Sequence, residues 1–215
     1  IHTAGHVTGG VTPSHEWTEG LLDFYHLTGK REAYDKAVSI ADNMIRHLNS
    51  EKFTKLGGFA ARETGWAMRG LIAVYNETKE QKYLDACTKI AEQFLAWKND
   101  LGAFLAPYTS HTQVRVPFMI SIAVNALHRY YTATKDERIP GLIAEEMGDL
   151  LDHCVMPDGR FFYKELPSLH RRAGSSREME ALCHAYELSG EKRFLEQAFR
   201  MMETMVDHGI SGSRG

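Results

Sequence analysis

Cysteine is scarce: there are three, at positions 87, 154 and 183, with no CxxC pair and an odd one left over. That spacing argues against a disulfide framework and a structural zinc site, so the thiols are expected to be buried. Long apolar runs are also missing. The longest, near Val116 to Leu127, is interrupted by Pro117, Ser121 and Asn125 and is too short to cross a bilayer, so no membrane partner is expected. Neither charge sign dominates. Lysine plus arginine total 25 against 28 acidic residues, and a net charge of -3 gives no electrostatic footprint for nucleic acid. The chain starts at Ile1 without a charged stretch followed by an apolar one, so a trimmed chain or a piece of a longer protein is expected, with its compartment undetermined.

What is present is an ordinary globular composition, 43% hydrophobic and 25% charged, in 215 residues. Such a length suits a single domain over 1–215 or one repeated architecture. A pattern recurs: a small residue, leucine, three variable positions, tyrosine, two variable positions, then threonine or serine. The copies are Gly20-Leu21 with Tyr25 and Thr28, Gly70-Leu71 with Tyr75 and Thr78, Ala126-Leu127 with Tyr131 and Thr134, and Ala181-Leu182 with Tyr186 and Ser189. Their tyrosines are 50, 56 and 55 residues apart. Each copy predicts a helix and its exit, marked twice by a following glycine, Gly29 and Gly190. The tyrosines, at the exit end, are read as packing residues.

A second amphipathic stretch follows each exit, as in Tyr34, Ala37, Val38, Ala41, Ile45 and Leu48. The chain therefore predicts helical hairpins over about 13–49, 61–99, 113–154 and 175–208. The helix from Phe118 to Leu127 is apolar nearly all round, whereas the second helices keep a charged face, so first helices are expected inside and second helices outside. Small residues at Gly20, Gly70, Ala126 and Ala181 are expected to let inner helices approach. The fold class is all-α, an α/α toroid of four hairpins. Glycine-aromatic connections precede the later inner helices, at Gly58-Phe59, Gly102-Ala103-Phe104 and Gly159-Arg160-Phe161. The two long ones leave room for a short extended turn and are where function is expected to sit.

The stretch Pro13-Ser14-His15-Glu16-Trp17, then Glu19-Gly20-Leu21-Leu22 with Tyr25 and Leu27-Thr28-Gly29, resembles the six-hairpin glycosidase superfamily. Its members are (α/α)6 barrels and include unsaturated glucuronyl hydrolases, β-L-arabinofuranosidase-like enzymes and the toroid domains of polysaccharide lyases. The resemblance implies a partial (α/α)6 barrel with about 100 residues outside this chain or an open ring. It also implies a carbohydrate-active, glycoside hydrolase-like domain acting on an oligosaccharide or polysaccharide that can contain uronic acid. The cysteine ligand set of the zinc-dependent arabinofuranosidases is missing, and no metal or cofactor is expected.

The N-terminal ends of the inner helices are expected to converge on one mouth, where unpaired N–H groups and helix dipoles favour anionic groups. Thr12 as cap and Pro13 at the first helical position put His15 and Glu16 in the first turn, with Glu19 on the face of His15. This reads as a general acid or base supported by histidine, or more plainly as helix-start acids and a surface histidine. Arg62, Glu63 and Trp66 combine a base, a carboxyl and an aromatic face suited to sugar, or form a core tryptophan beside an ion pair. Tyr108, His111, Gln113 and Arg115 make a loop cluster before the third inner helix. Arg171 and Arg172 can hold a carboxylate by forked hydrogen bonds, or simply be solvated. Glu178, at capping-box spacing from Ser175, is read as structural.

The candidate catalytic residues are thus Glu16, Glu63, His15 and His111. Candidate substrate contacts are Trp17, Glu19, Arg62, Trp66, Tyr108, Gln113, Arg115, Arg171 and Arg172. A polysaccharide lyase toroid and a non-catalytic helical-repeat interaction module stand as alternatives. An open ring would expose apolar edges, so a homodimer or the missing hairpins are expected partners.

Overall fold

A computed structural model describes residues 13–50, 61–107, 113–165, 172–173 and 176–207. A 3-10 turn, Pro13–His15, precedes α1 (Glu19–Thr28) and α2 (Arg31–Leu48). Then come α3 (Ala61–Thr78), α4 (Gln81–Leu101), α5 (Pro117–Thr134), α6 (Arg138–Cys154), α7 (Ser176–Ser189) and α8 (Lys192–Asp207). Two small antiparallel ribbons lie ahead of inner helices: β1 (Ala106–Pro107) with β2 (Gln113–Val114), and β3 (Phe161–Phe162) with β4 (Arg172–Ala173). The architecture is an α/α toroid in which α1, α3, α5 and α7 pack side by side as the inner layer.

The recurrent threonine or serine makes the joint of each hairpin. Its hydroxyl donates to the carbonyl four residues back, from Thr28 to Phe24 at 2.6 Å, Thr78 to Val74 and Thr134 to Tyr130 at 2.9 Å, and Ser189 to Ala185 at 2.7 Å. The same oxygen accepts the N–H two residues on, from Lys30, Glu80, Asp136 and Glu191 at 3.1–3.3 Å. The intervening residue is left-handed in every copy: Gly29, Lys79, Lys135 and Gly190, with φ between 58 and 73°. Its N–H caps the carbonyl of the recurrent tyrosine at 2.7–2.8 Å. A side chain is strained in this conformation by roughly 1–2 kcal/mol. At the two non-glycine joints an ammonium lies over the ring of that tyrosine, Lys79 over Tyr75 at 5.4 Å and Lys135 over Tyr131 at 5.1 Å, which offsets part of the cost.

The inner helices approach differently from expectation. A Cβ on Gly20 would meet nothing within 4 Å, and one on Gly70 would meet Met44 of outer helix α2 at 2.9 Å. The close inner contact lies at Gly65, where a Cβ would sit 2.8 Å from Ala123 Cα and 2.9 Å from its backbone nitrogen. Ala126 and Ala181 are fully buried. The repeat's small position thus serves packing in general, while the tightest approach falls one turn earlier on α3. Cysteine also departs from expectation: Cys87 and Cys154 are buried, but Cys183 is exposed.

The outer wall is anchored by Phe94, Trp97 and Phe104, whose ring centroids lie 4.6–6.1 Å apart. Beneath them Glu146 of α6, with no exposed surface, accepts the Phe104 N–H at 3.1 Å and faces Lys98 Nζ at 3.2 Å. Burial pushes its carboxyl up to about 7. Arg115 sews the connections together, donating from Nε and Nη2 to Asp149 of α6 at 2.5 and 2.9 Å and from Nη1 to Glu165 at 2.8 Å. Among the described residues, no helix is long and apolar enough to cross a membrane.

Two substitutions test this frame. Thr78→Val deprives Val74 C=O and Glu80 N–H of their shared partner and is expected to cost about 1–2 kcal/mol in urea unfolding, whereas Thr78→Ser stays near wild type. Gly65→Ala gains about 1 kcal/mol of helix propensity. It drives a methyl into the α5 backbone, however, so net destabilisation of about 1–3 kcal/mol is expected by the same measurement.

Candidate active site at the inner-helix mouth

The entry to α1 is built from a turn. Residues 16–18 are non-helical and α1 begins at Glu19, so the expected helix from Pro13 is shorter by nearly two turns, and His15 and Glu19 do not share a helical face. The cause lies in competing hydrogen bonds. Thr18 Oγ1 donates across to Gly70 C=O at 3.0 Å, and the Ser14 N–H donates to Glu63 Oε2 at 2.9 Å. Tying the chain to α3 at two points replaces the first intrahelical bonds.

This turn gathers several of the predicted residues. Glu63, on the first turn of α3, holds the Ser14 amide and faces Arg62 Nη1 at 3.8 Å. Ser14 Oγ lies 3.1 Å from His15 Nδ1, and its carbonyl accepts from Trp17 Nε1 at 2.8 Å. The indoles of Trp17 and Trp66 then sit 6.1 Å apart, with Trp17 61% exposed. Glu63, His15, Trp17 and Trp66 therefore share one corner of the mouth.

Other predicted residues lie elsewhere. Glu16 turns toward α2, where Asn43 Nδ2 donates to its Oε1 at 3.2 Å. Among the described residues nothing donates to its buried Oε2. Burial raises its carboxyl above the usual range, opposed by the nearby His47 and by the Asn43 hydrogen bond. Gln113 is exposed on β2. The Arg115 guanidinium is engaged by Asp149 and Glu165, and those two carboxylates hold its proton well above the ordinary range. Arg172 pairs through β4 with Phe162. Tyr108, His111 and Arg171 lie outside the described residues, as does Ser175; Glu178 is 1% exposed.

A second polar group lies deeper along the inner helices. Arg69 of α3 donates from Nε to Glu19 Oε2 at 2.5 Å, and Arg129 of α5 reaches the other oxygen of the same carboxylate. The Arg69 guanidinium stands over Trp66, 5.1 Å from the ring centroid, linking this cluster to the mouth. Asn125 Nδ2 donates to Glu180 Oε2 at 3.1 Å. Sequence reasoning named Glu19 but missed Arg69, Arg129, Asn125 and Glu180. A signal was present: Glu19, Arg69, Asn125 and Glu180 each immediately precede the small residue of the repeat, and all are polar.

This fold and mouth define the α/α toroid class of the glycosidases. The chain belongs to the β-L-arabinofuranosidase, GH127 catalytic-domain family, whose model matches residues 11–156. By family it is a glycoside hydrolase-like domain. A sugar epimerase from a ruminal bacterium is similar in structure, with a TM-score of 0.73 at 14% identity over 95% of this chain and 61% of that one. The unsaturated glucuronyl hydrolase of Bacillus sp. GL1 gives 0.68 at 14% over 89% and 56%. A GH76 α-mannanase of Bacteroides thetaiotaomicron gives 0.68 at 13% over 91% and 59%. The chain thus spans less than two thirds of each of these proteins. A search of curated proteins finds no significant match.

The residues present do not fit a thiolate zinc centre. Cys87 is fully buried with its thiol aimed at Met68 C=O, and Cys154 is fully buried and free. Burial pushes the Cys154 thiol up to about 12 and that of Cys87 higher still, so both stay protonated.

Glu16 yields a pH prediction. A carboxyl raised on folding contributes stability that is fully present below its unfolded value near 4.5 and is lost as pH rises through the folded value. Glu16→Gln can still accept from Asn43 and removes the buried charge. It is expected to raise the melting temperature at pH 8 and leave it unchanged at pH 4, as read by thermal denaturation at both.

Proposed function

We propose that this chain contributes the mouth of a glycoside hydrolase acting on an oligosaccharide that carries a uronic acid. The observation carrying the reading is the corner where Glu63 and His15 lie beside the tilted Trp17–Trp66 pair, with Arg69 over one ring. Indole faces suit the apolar face of a sugar ring, and a carboxyl beside them suits proton transfer to a glycosidic oxygen. Glu63 and His15 are the acid/base residue and its assistant, and Trp17 and Trp66 form the platform. Glu16, turned to α2, is a weaker acid candidate, and His111, Tyr108 and Arg171 remain candidates by their place in the sequence ahead of α5 and α7.

The charge balance supports a uronate. Two guanidiniums, Arg69 and Arg129, share one carboxylate, Glu19, leaving the cluster with excess positive charge beside the indoles. The exposed Phe24 and Leu27 on α1, and Phe199, Met202 and Val206 on α8, support a reading in which further hairpins cover both edges of the inner and outer layers.

Glu63→Gln keeps an acceptor for the Ser14 N–H and removes the acid/base. In the full natural protein, assayed on neutral and uronate-bearing oligosaccharides, it is expected to lower kcat by about 10²–10⁴. Trp66→Ala is expected to act mainly on KM. New reducing ends without ultraviolet absorbance from a 4,5-unsaturated product are the hydrolase outcome. That absorbance would instead assign lyase chemistry, and unchanged kcat in Glu63→Gln would remove this residue from the mechanism.

A further inference from the structure

Three residues beyond Asn125 and four beyond Glu180 on the same inner helices, toward the hairpin joints, two imidazoles meet that the proposed sugar chemistry does not use. His128 of α5 and His184 of α7 stack with centroids 3.6 Å apart and planes within 10°. Both are largely shielded, with side chains 15% and 19% exposed. Glu187, one turn along α7 from His184 and mostly exposed, places Oε2 3.4 Å from His128 Nε2 and 3.7 Å from His184 Nδ1. One nitrogen from each ring and one oxygen of this carboxylate all lie within 4.8 Å of one another.

We infer that His128, His184 and Glu187 form a binding site for a divalent first-row transition cation of the zinc or nickel type. Two arguments support it. The donor set, two imidazoles and one carboxylate, suits such ions and is unsuited to magnesium or calcium, which take oxygen ligands. The second nitrogen of His184 has a carboxylate behind it: its Nε2 lies 3.7 Å from Glu180 Oε1, a separation that a small side-chain rotation turns into a hydrogen bond, and Glu180 is held through its other oxygen by Asn125 at 3.1 Å. A carboxylate behind a histidine sets the tautomer that frees the opposite nitrogen for a metal.

Ligands of a tetrahedral ion stand about 3.3 Å apart when each bond is about 2.0–2.1 Å. The donor atoms, within 4.8 Å of one another, therefore need closure of up to about 1.5 Å and a turn of one ring out of the stack so that both lone pairs meet, through rotation about side-chain torsions. Glu187 on the open side gives the ion its entry and leaves the remaining coordination position to water. The site is independent of the sugar-binding reading, because none of its ligands lies in the Glu63–Trp66 corner.

The test is titration of the tag-free, chelator-treated chain with zinc by calorimetry and with cobalt by visible absorbance. One ion per chain, a cobalt spectrum of tetrahedral intensity and affinity that rises with pH through the imidazole range are expected. His184→Ala and His128→Ala should each weaken binding at least a hundredfold, Glu187→Gln about tenfold, and Glu180→Gln about tenfold through loss of orientation. His153→Ala, a histidine on α6 facing Asp149, should leave it unchanged. Circular dichroism that matches wild type separates loss of binding from loss of fold; a variant that fails this check is replaced by His→Gln at the same position. Absence of stoichiometric binding at 100 μM zinc, or binding that survives in the His128/His184 double variant, would overturn the assignment; the concentration is about that of a weak site.

Discussion

The backbone-to-backbone approach of α3 and α5 is the constraint on which the inner layer depends. At Gly65 the missing side chain lets the two helices close until a Cβ would overlap the α5 backbone. Interhelical spacing then becomes short enough that Arg129, on α5, reaches past α3 to the carboxylate of Glu19 on α1. A larger residue at 65 would push α5 outward and break that long-range pairing as well as local packing. The polar cluster along the inner helices is therefore a consequence of helix spacing.

The fold was legible in the sequence because the joint is local. A hydroxyl that bridges a carbonyl four residues back and an amide two residues on must be threonine or serine, and a tyrosine whose carbonyl receives the left-handed cap recurs at fixed offset. Local chemistry of this kind repeats in sequence with the hairpin. The site was less legible for the opposite reason. Glu63 meets Ser14 from 49 residues away, and Glu19 meets Arg129 from 110. No spacing rule encodes such contacts; they appear only once the helices are placed. The start of α1 was misplaced for the same reason: Thr12 and Pro13 carry good local helix-start chemistry, but bonds from Ser14 and Thr18 to α3 prevail over it.

Charge along the inner face is arranged in pairs that cross helix boundaries. Glu19 binds α3 and α5, Asn125 binds Glu180 on α7, and at the joint end His26 of α1 lies 2.9 Å from Glu77 of α3. An inner helix of a toroid has one face that neither packs in the core nor faces open solvent as an outer helix does. Polar residues on it are only partly hydrated, so isolated charges there would be costly and paired ones are retained. The pairing also explains why arginine rather than lysine occupies positions 69 and 129: two guanidiniums can approach the two oxygens of one carboxylate from different helices while their planar faces remain available for stacking, as over Trp66.

Glu63 illustrates how stability and chemistry are joined at this mouth. Its Oε2 fixes the Ser14 amide, and through the Ser14 carbonyl the position of Trp17 follows. Removing the whole side chain would release the turn and the indole together, so loss of activity on truncation would say nothing about proton transfer. The amide isostere preserves the acceptor while abolishing acidity, and only that change separates the two contributions. The same logic applies to Arg115, whose truncation would take from Asp149 and Glu165 the guanidinium they share beside a ribbon connection. Any effect on substrate from that position would pass through the placement of the connections ahead of α5 and α7, because its guanidinium is already bound on both sides.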